Sequence, residues 1–171
     1  MHQIILVSGP PGSGKSTIAV PLAQALGFAL LSKDVIKEAL FDSRRRPRDE
    51  SYSAKLSDAA MAVLLALAPH CPRVVLDANF KPRDANQRKR LAAIGSNIIE
   101  VYCRCDPETV SRRFAQRADT RHPAHALKRI TPELIMRHDR PMGLGTVIEV
   151  DTNAPVDLAA VLQRVHDALP R

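Results

Sequence analysis

The sequence predicts a parallel α/β fold, and three observations carry that expectation. Apolar runs of strand length recur at Gln3–Val7, Phe28–Leu31, Arg73–Leu76, Ile98–Cys103 and Thr146–Val150. Segments with helical apolar spacing separate them, the alternation that a parallel sheet with crossover helices requires. At 171 residues the chain has room for one compact domain with a real core and not for two substantial ones, so residues 1–171 are read as a single domain.

The elements follow in order. Ile4-Ile5-Leu6-Val7 is the first strand. Ser16 to Leu26 is the first helix, with Ile18, Leu22, Ala25 and Leu26 on one face before Gly27 offers a left-handed stop. Pro21 inside it removes a hydrogen bond and is expected to disturb its regularity. The second strand, Phe28–Leu31, leads to a helix over Val35–Phe41. Ser53 to Ala68 has a long helical pattern stopped by Pro69, and Pro82 or Asp84 opens another that ends near Gly95. Asp106-Pro107 and Thr131-Pro132 each read as a polar cap followed by proline at the first helical position, with Glu108 or Glu133 in the first turn. The last helix is expected from about Pro155 to Leu169.

No apolar stretch is long enough to cross a bilayer and the N-terminus carries no secretory pattern, so a soluble cytoplasmic chain without a membrane partner is expected. Cys71, Cys103 and Cys105 show no metal-type pairing and read as reduced thiols, with Cys103 and Cys105 as small buried groups on one strand face. The formal charge of +7 comes largely from arginines at Arg44-Arg45-Arg46 with Arg48, at Arg88 with Arg90, and between Arg112 and Arg140. Such clusters can meet a polyanion. Aromatic residues make up only 4%, leaving few platforms for stacked bases, so a nucleic-acid partner is set behind a small acceptor.

The chemistry begins directly after the first strand, at Gly9-Pro10-Pro11-Gly12-Ser13-Gly14-Lys15-Ser16, with Thr17 next. The glycines allow a sharp turn and close backbone approach. The inward N–H groups and the N-terminus of the following helix then make an anion site, where the Lys15 ammonium reaches the outer phosphates and Ser16 holds Mg²⁺. The guest such a loop fits is a nucleoside triphosphate, here ATP.

Three further stretches supply the rest. In Ser32-Lys33-Asp34-Val35-Ile36-Lys37 the second strand ends at a carboxylate; Asp34 is the candidate general base for a hydroxyl nucleophile, and also a plausible cap of the helix behind it. Lys37, one turn on, is favoured as a substrate contact, and Lys33 is left to solvent. Val74-Val75-Leu76-Asp77-Ala78-Asn79-Phe80 ends a buried strand in an acid that can orient Mg²⁺ together with Ser16. Asn79 and Arg83 extend the site towards the acceptor, and Phe80 is packing. Finally, Arg113 and Arg117 lie four apart on one helical face of an arginine-rich segment, approximately 112–131, suited to a lid whose guanidinium neutralises developing charge. His122 and His125 read as ordinary surface.

Taken together these motifs make the chain resemble the small phosphate-loop kinases grouped around zeta toxin, chloramphenicol phosphotransferase and the 5′-hydroxyl kinase part of polynucleotide kinase. The resemblance rests on Gly9 to Ser16, on Ser32-Lys33-Asp34 with Lys37, on Asp77 to Phe80 with Arg83, and on Arg113 with Arg117. It implies a P-loop NTPase three-layer sandwich with sheet order 2-3-1-4-5, Asp34 activating the acceptor hydroxyl, lid arginines closing over ATP, and the turn from Asp151 to Pro155, including Asn153, beside adenine. Polynucleotide kinases place arginine where this chain has Lys37, which removes a bidentate fork. The expectation is therefore an ATP- and Mg²⁺-dependent kinase acting on a hydroxyl of a small molecule. A polynucleotide or tRNA hydroxyl kinase and a non-catalytic ATP-binding regulatory module are the alternatives.

Overall fold

In the computed structural model, residues 2–43, 49–95 and 97–170 are described. The arginine cluster from Arg44 to Arg48 lies outside them. Five strands, β1 (Gln3–Ser8), β2 (Ala29–Ser32), β3 (Arg73–Asp77), β4 (Ile98–Arg104) and β5 (Thr146–Asp151), form one sheet of order β2-β3-β1-β4-β5. Every pairing is parallel, as the alternating pattern predicts.

The helices are α1 (Lys15–Leu26), α2 (Lys33–Asp42), α3 (Glu50–Leu67), α4 (Ala85–Ala92), α5 (Pro107–Gln116), α6 (Pro132–Met136) and α7 (Leu158–Ala168). A 3-10 turn, Ala68–His70, follows α3. Because strand side chains alternate between faces, β1 splits its apolar run. Ile5 and Val7 pack with Ile18 and Leu22 of α1 and Val161 and Val165 of α7. Ile4 and Leu6 pack on the other face with Leu64 and Leu65 of α3 and Leu91 of α4. A sheet covered on both faces explains why these strands are apolar throughout. Among the described residues no helix is long and apolar enough to cross a membrane.

Capping chemistry sets the boundaries. The α3 helix starts three residues before the expected Ser53, because the Asp49 carboxylate accepts from the Ser51 and Tyr52 N–H groups. Likewise α7 starts at Leu158, not near Pro155: the Asp157 side chain accepts from Ala160 N–H. Asp84 and Thr131 cap α4 and α6 as their sequence contexts indicate. Gly27 closes α1 in the left-handed region, with φ of 64°, and α1 runs through Pro21 without interruption. Cys103 is buried in β4 as expected, whereas Cys105 lies just past the strand end and is only half-buried.

One core residue has no apolar logic. Glu100, in the middle of β4, is fully buried, and its carboxylate accepts from Ser8 Oγ at 2.5 Å, Met142 N at 2.8 Å and Gly143 N at 2.9 Å. It thereby ties the chain entering β5 to the strand that feeds the phosphate loop. Glu100→Ala strands a hydroxyl and two backbone donors in the core and is expected to cost about 3–5 kcal/mol. Glu149→Ala, at an exposed position of β5, should stay within about 0.5 kcal/mol. Urea denaturation of both variants checks the contrast.

Candidate active site

A parallel sheet gathers the carboxyl ends of its strands along one edge, where ligands of open α/β folds bind. The loop from Gly9 to Gly14 leaves β1 there. Gly9 has φ of 130°, and a Cβ at this position would come within 2.6 Å of the Cys103 carbonyl oxygen, so the turn has no room for a side chain. Gly14 is the left-handed N-cap of α1. Lys15 folds back over the loop, its Nζ donating to Pro10 O at 2.8 Å. Burial pushes the Lys15 ammonium below the ordinary lysine range, against the pull of Asp77.

The register places Ser32 of β2 beside Asp77 of β3, and Asp77 beside Val7 of β1. Asp77 Oδ2 accepts from Ser16 Oγ at 2.7 Å and from Ser32 Oγ at 3.3 Å. Burial raises the Asp77 carboxyl above its usual value, and Lys15 and the Ser16 hydroxyl act against that rise.

These groups open onto a cavity of about 830 Å³ whose lining runs from Gly12, Lys15, Ser16 and Thr17 to Asp34, Lys37, Asn79 and Arg117. That size lies within the range of small-molecule and cofactor clefts. Pro11 and Gly14 also line it, while Gly9, Pro10 and Ser13 shape the loop from behind. Asp34 sits in the first turn of α2, which starts at Lys33. Burial alone would raise its carboxyl; protonated His125 and the ammoniums of Lys33, Lys15 and Lys37 outweigh this and hold it below the usual carboxylate range.

Three expected residues stand elsewhere. Arg113 does not line the cavity: its guanidinium donates to Thr152 O at 2.7 Å and Asn153 O at 3.3 Å, which fastens α5 to the turn after β5. Asn153 is also outside, its Oδ1 accepting from Asp106 N at 2.9 Å. Arg83, exposed, pairs in a fork with Asp139 at 2.8 and 2.9 Å. Residues 112–116 complete α5, whose Val110 and Phe114 are buried. Of the paired arginines only Arg117 faces the cavity, joined there by Arg121, whose guanidinium lies 4.5 Å from the Phe114 ring centroid.

Other cavity residues have little signature in the sequence. His125, read as surface, is buried and meets Glu38 at 2.9 Å, while His122 meets Asp42 at 3.2 Å. Asp34, Glu38 and Asp42 lie at successive turns of α2, so two of these three acids dock the chain after α5 onto α2. The only sequence signal is that four-residue spacing opposite two histidines. His138, fully buried at the cavity wall, donates from Nδ1 to Phe80 O at 2.7 Å, and burial pushes it down to about 4. Lys33, left to solvent by the sequence, is buried and donates to Asn79 Oδ1 at 3.0 Å.

Fold and loop together define a kinase-like phosphate-loop nucleotide-binding domain. The chain belongs to the AAA domain family, whose profile matches residues 4–141; that match does not single out the zeta toxin grouping. Among curated proteins none matches. Among solved structures, it is similar over 99% of both chains to a Chloroflexus aurantiacus protein provisionally described as a kinase, at 26% identity and a TM-score of 0.81. It shares the fold of Chaetomium thermophilum Kti12 in complex with ADP-AlF3, at 17% identity, 98% and 100% coverage and a TM-score of 0.69. It also shares that of Acinetobacter baumannii shikimate kinase in complex with shikimate, at 20% identity, 98% and 92% coverage and a TM-score of 0.64.

Lys37 gives this site a measurable electrostatic cost. Burial pushes its ammonium from 10.5 down to about 8, so the unfolded chain holds the proton more tightly than the folded one. Between those two values the unfolded state binds more protons, and stability rises with pH. Lys37→Met is expected to flatten that rise by removing the share due to Lys37, leaving the shares of Lys15 and Lys33, and to stabilise the protein at neutral pH by on the order of 2–3 kcal/mol. Urea denaturation at neutral and alkaline pH measures both effects.

Proposed function

We propose that the protein is an ATP- and Mg²⁺-dependent kinase that transfers the γ-phosphoryl group to a hydroxyl of a small-molecule acceptor. The observation that carries this reading is the Asp34 carboxylate, ionised at neutral pH and open to the same cavity as Lys15 and Ser16. A fold shared with a shikimate kinase fits a small acceptor.

Gly12, Gly14 and the N-terminus of α1 offer N–H groups and positive potential to the triphosphate, and Lys15 exchanges the Pro10 carbonyl for phosphate oxygens. Ser16 and Asp77 are hard oxygen donors side by side, the set that suits Mg²⁺; ionisation of Asp77, opposed by burial, is favoured by a divalent cation. Held by Ser16 and Asp77, such an ion would neutralise charge developing on the phosphate oxygens. Arg117 stands where a guanidinium adds to that neutralisation.

The acceptor oxygen forms its bond to phosphorus as the bond to the ADP oxygen breaks, and the hydroxyl proton passes to Asp34. A carboxylate held below its usual pKa is a weak base. It therefore aligns the hydroxyl by accepting its hydrogen bond and takes the proton late, as a loose phosphoryl-transfer transition state allows.

Asp34→Asn is expected to leave ATP binding intact and to lower kcat by about 10²–10⁴-fold, whereas Lys15→Ala should weaken ATP binding and transfer together. Isothermal titration with ATP, and mass gain across a panel of hydroxyl compounds, measure the two effects; wild-type transfer by Asp34→Asn would contradict the assigned base.

A further inference from the structure

Lys33 and Lys37 are the least expected pair at the site. They lie one turn apart on α2, are only 8% and 5% exposed, and both line the cavity. Lysine is almost never this buried without a carboxylate partner, yet among the described residues neither makes an ion pair. Each is held by one neutral oxygen, Lys33 by Asn79 Oδ1 at 3.0 Å and Lys37 by Ser53 Oγ at 2.9 Å. An ammonium carries three donors, so each keeps donors for a ligand.

We propose that Lys33 and Lys37 form an anion seat on the acceptor side of the cavity, and that the acceptor is a hydroxyl compound bearing a carboxylate or a phosphate ester. The anionic group sits on the two ammoniums while a hydroxyl of the same molecule reaches Asp34 between them. This deepens the kinase reading and, for the transfer step, rests on it.

Three features favour a ligand over a purely structural role. The one carboxylate between the lysines is Asp34, which cannot neutralise both and is reserved for the hydroxyl. Other acids line the cavity without pairing with either lysine: Glu38 is engaged by His125 and acts on Lys37 behind Asp34, Asp77 accepts from Ser16 and Ser32, and Asp58 acts on Lys33 only as a weaker influence behind Asp34. Finally, burial pushes both ammoniums down, Lys37 to about 8, a penalty that a bound anion offsets and a neutral polyol does not. The seat is distinct from the donor site, where Lys15, Arg117 and the loop N–H groups face the triphosphate. Asn79 and Ser53 fix the two ammoniums from opposite sides, from the end of β3 and from α3.

Two experiments separate this inference from the kinase reading. In the first, the full chain with a non-hydrolysable ATP analogue and Mg²⁺ is titrated with inorganic phosphate and, separately, with acetate, following the lysine side-chain resonances by NMR. The anion that fits is expected to raise the Lys37 titration midpoint by about one unit, and Lys33→Met should abolish the rise. An unmoved midpoint with both anions overturns the seat, whatever the protein transfers. The second compares polyols with and without a terminal carboxylate or phosphate as acceptors, by ADP release and mass gain. Charged members should be preferred by about tenfold or more in kcat/KM, with Lys33→Met and Lys37→Met raising KM more than they lower kcat. Equal use of the neutral members overturns the anionic acceptor and leaves the kinase reading intact. Absence of transfer to every member, with the Lys37 midpoint still responding, counts against the kinase reading and supports the seat.

Discussion

The Asp77 carboxylate accepts from both Ser16 and Ser32, so one buried anion joins the start of the phosphate-loop helix to the strand that leads into α2. That contact exists only because β2, β3 and β1 run parallel and in a register that sets Ser32 beside Asp77 and Asp77 beside Val7. A slip of one residue would turn Asp77 to the opposite face of the sheet and part the donor side from the acceptor side. The apolar packing on both faces of β1 resists such a slip, because each strand side chain already has its own layer to fill.

Around this hub the site is a crowd of cations that disfavour one another. Lys15, Lys33 and Lys37 are each pushed below the ordinary lysine range by burial, and behind His125 they help to hold the Asp34 carboxyl below its usual range. Crowding these cations into one buried wall costs stability at the site. Stability given up at a site and recovered on binding is the usual exchange in functional clefts. The docking of the chain after α5 belongs to the same scheme, since His122 anchors it on Asp42, two turns beyond Asp34, and His125 on Glu38, one turn beyond. The segment that carries Arg121 therefore shares its support, α2, with the Asp34 carboxylate, and both residues line one cavity.

Local sequence specified a good deal of this. The strands show as apolar runs because both faces of the sheet are covered, and the phosphate loop shows because its glycines and its Lys-Ser pair are contiguous. Helix starts were legible at Asp84 and Thr131, whose side chains cap α4 and α6. They slipped at α3 and α7, where Asp49 and Asp157 cap and no spacing rule singled them out. Arg113 and Arg117 could not be told apart by a helical spacing that puts them on one face. Which of them meets the cavity depends on the turn after β5, whose Thr152 and Asn153 carbonyls engage Arg113.

The sequence by itself determined the order of strands and helices, the loop that takes a triphosphate and the acids that follow β2 and end β3, because each of these is written in neighbouring residues. Tertiary structure alone decided which side chains share the cavity: Lys33 and His125 came in from apparent surface, while Arg83, Arg113 and Asn153 went to other partners. The reason is physical. Burial and ion pairing depend on residues far apart in the chain, Lys33 with Asn79 and His125 with Glu38, and no local pattern records where those partners will meet.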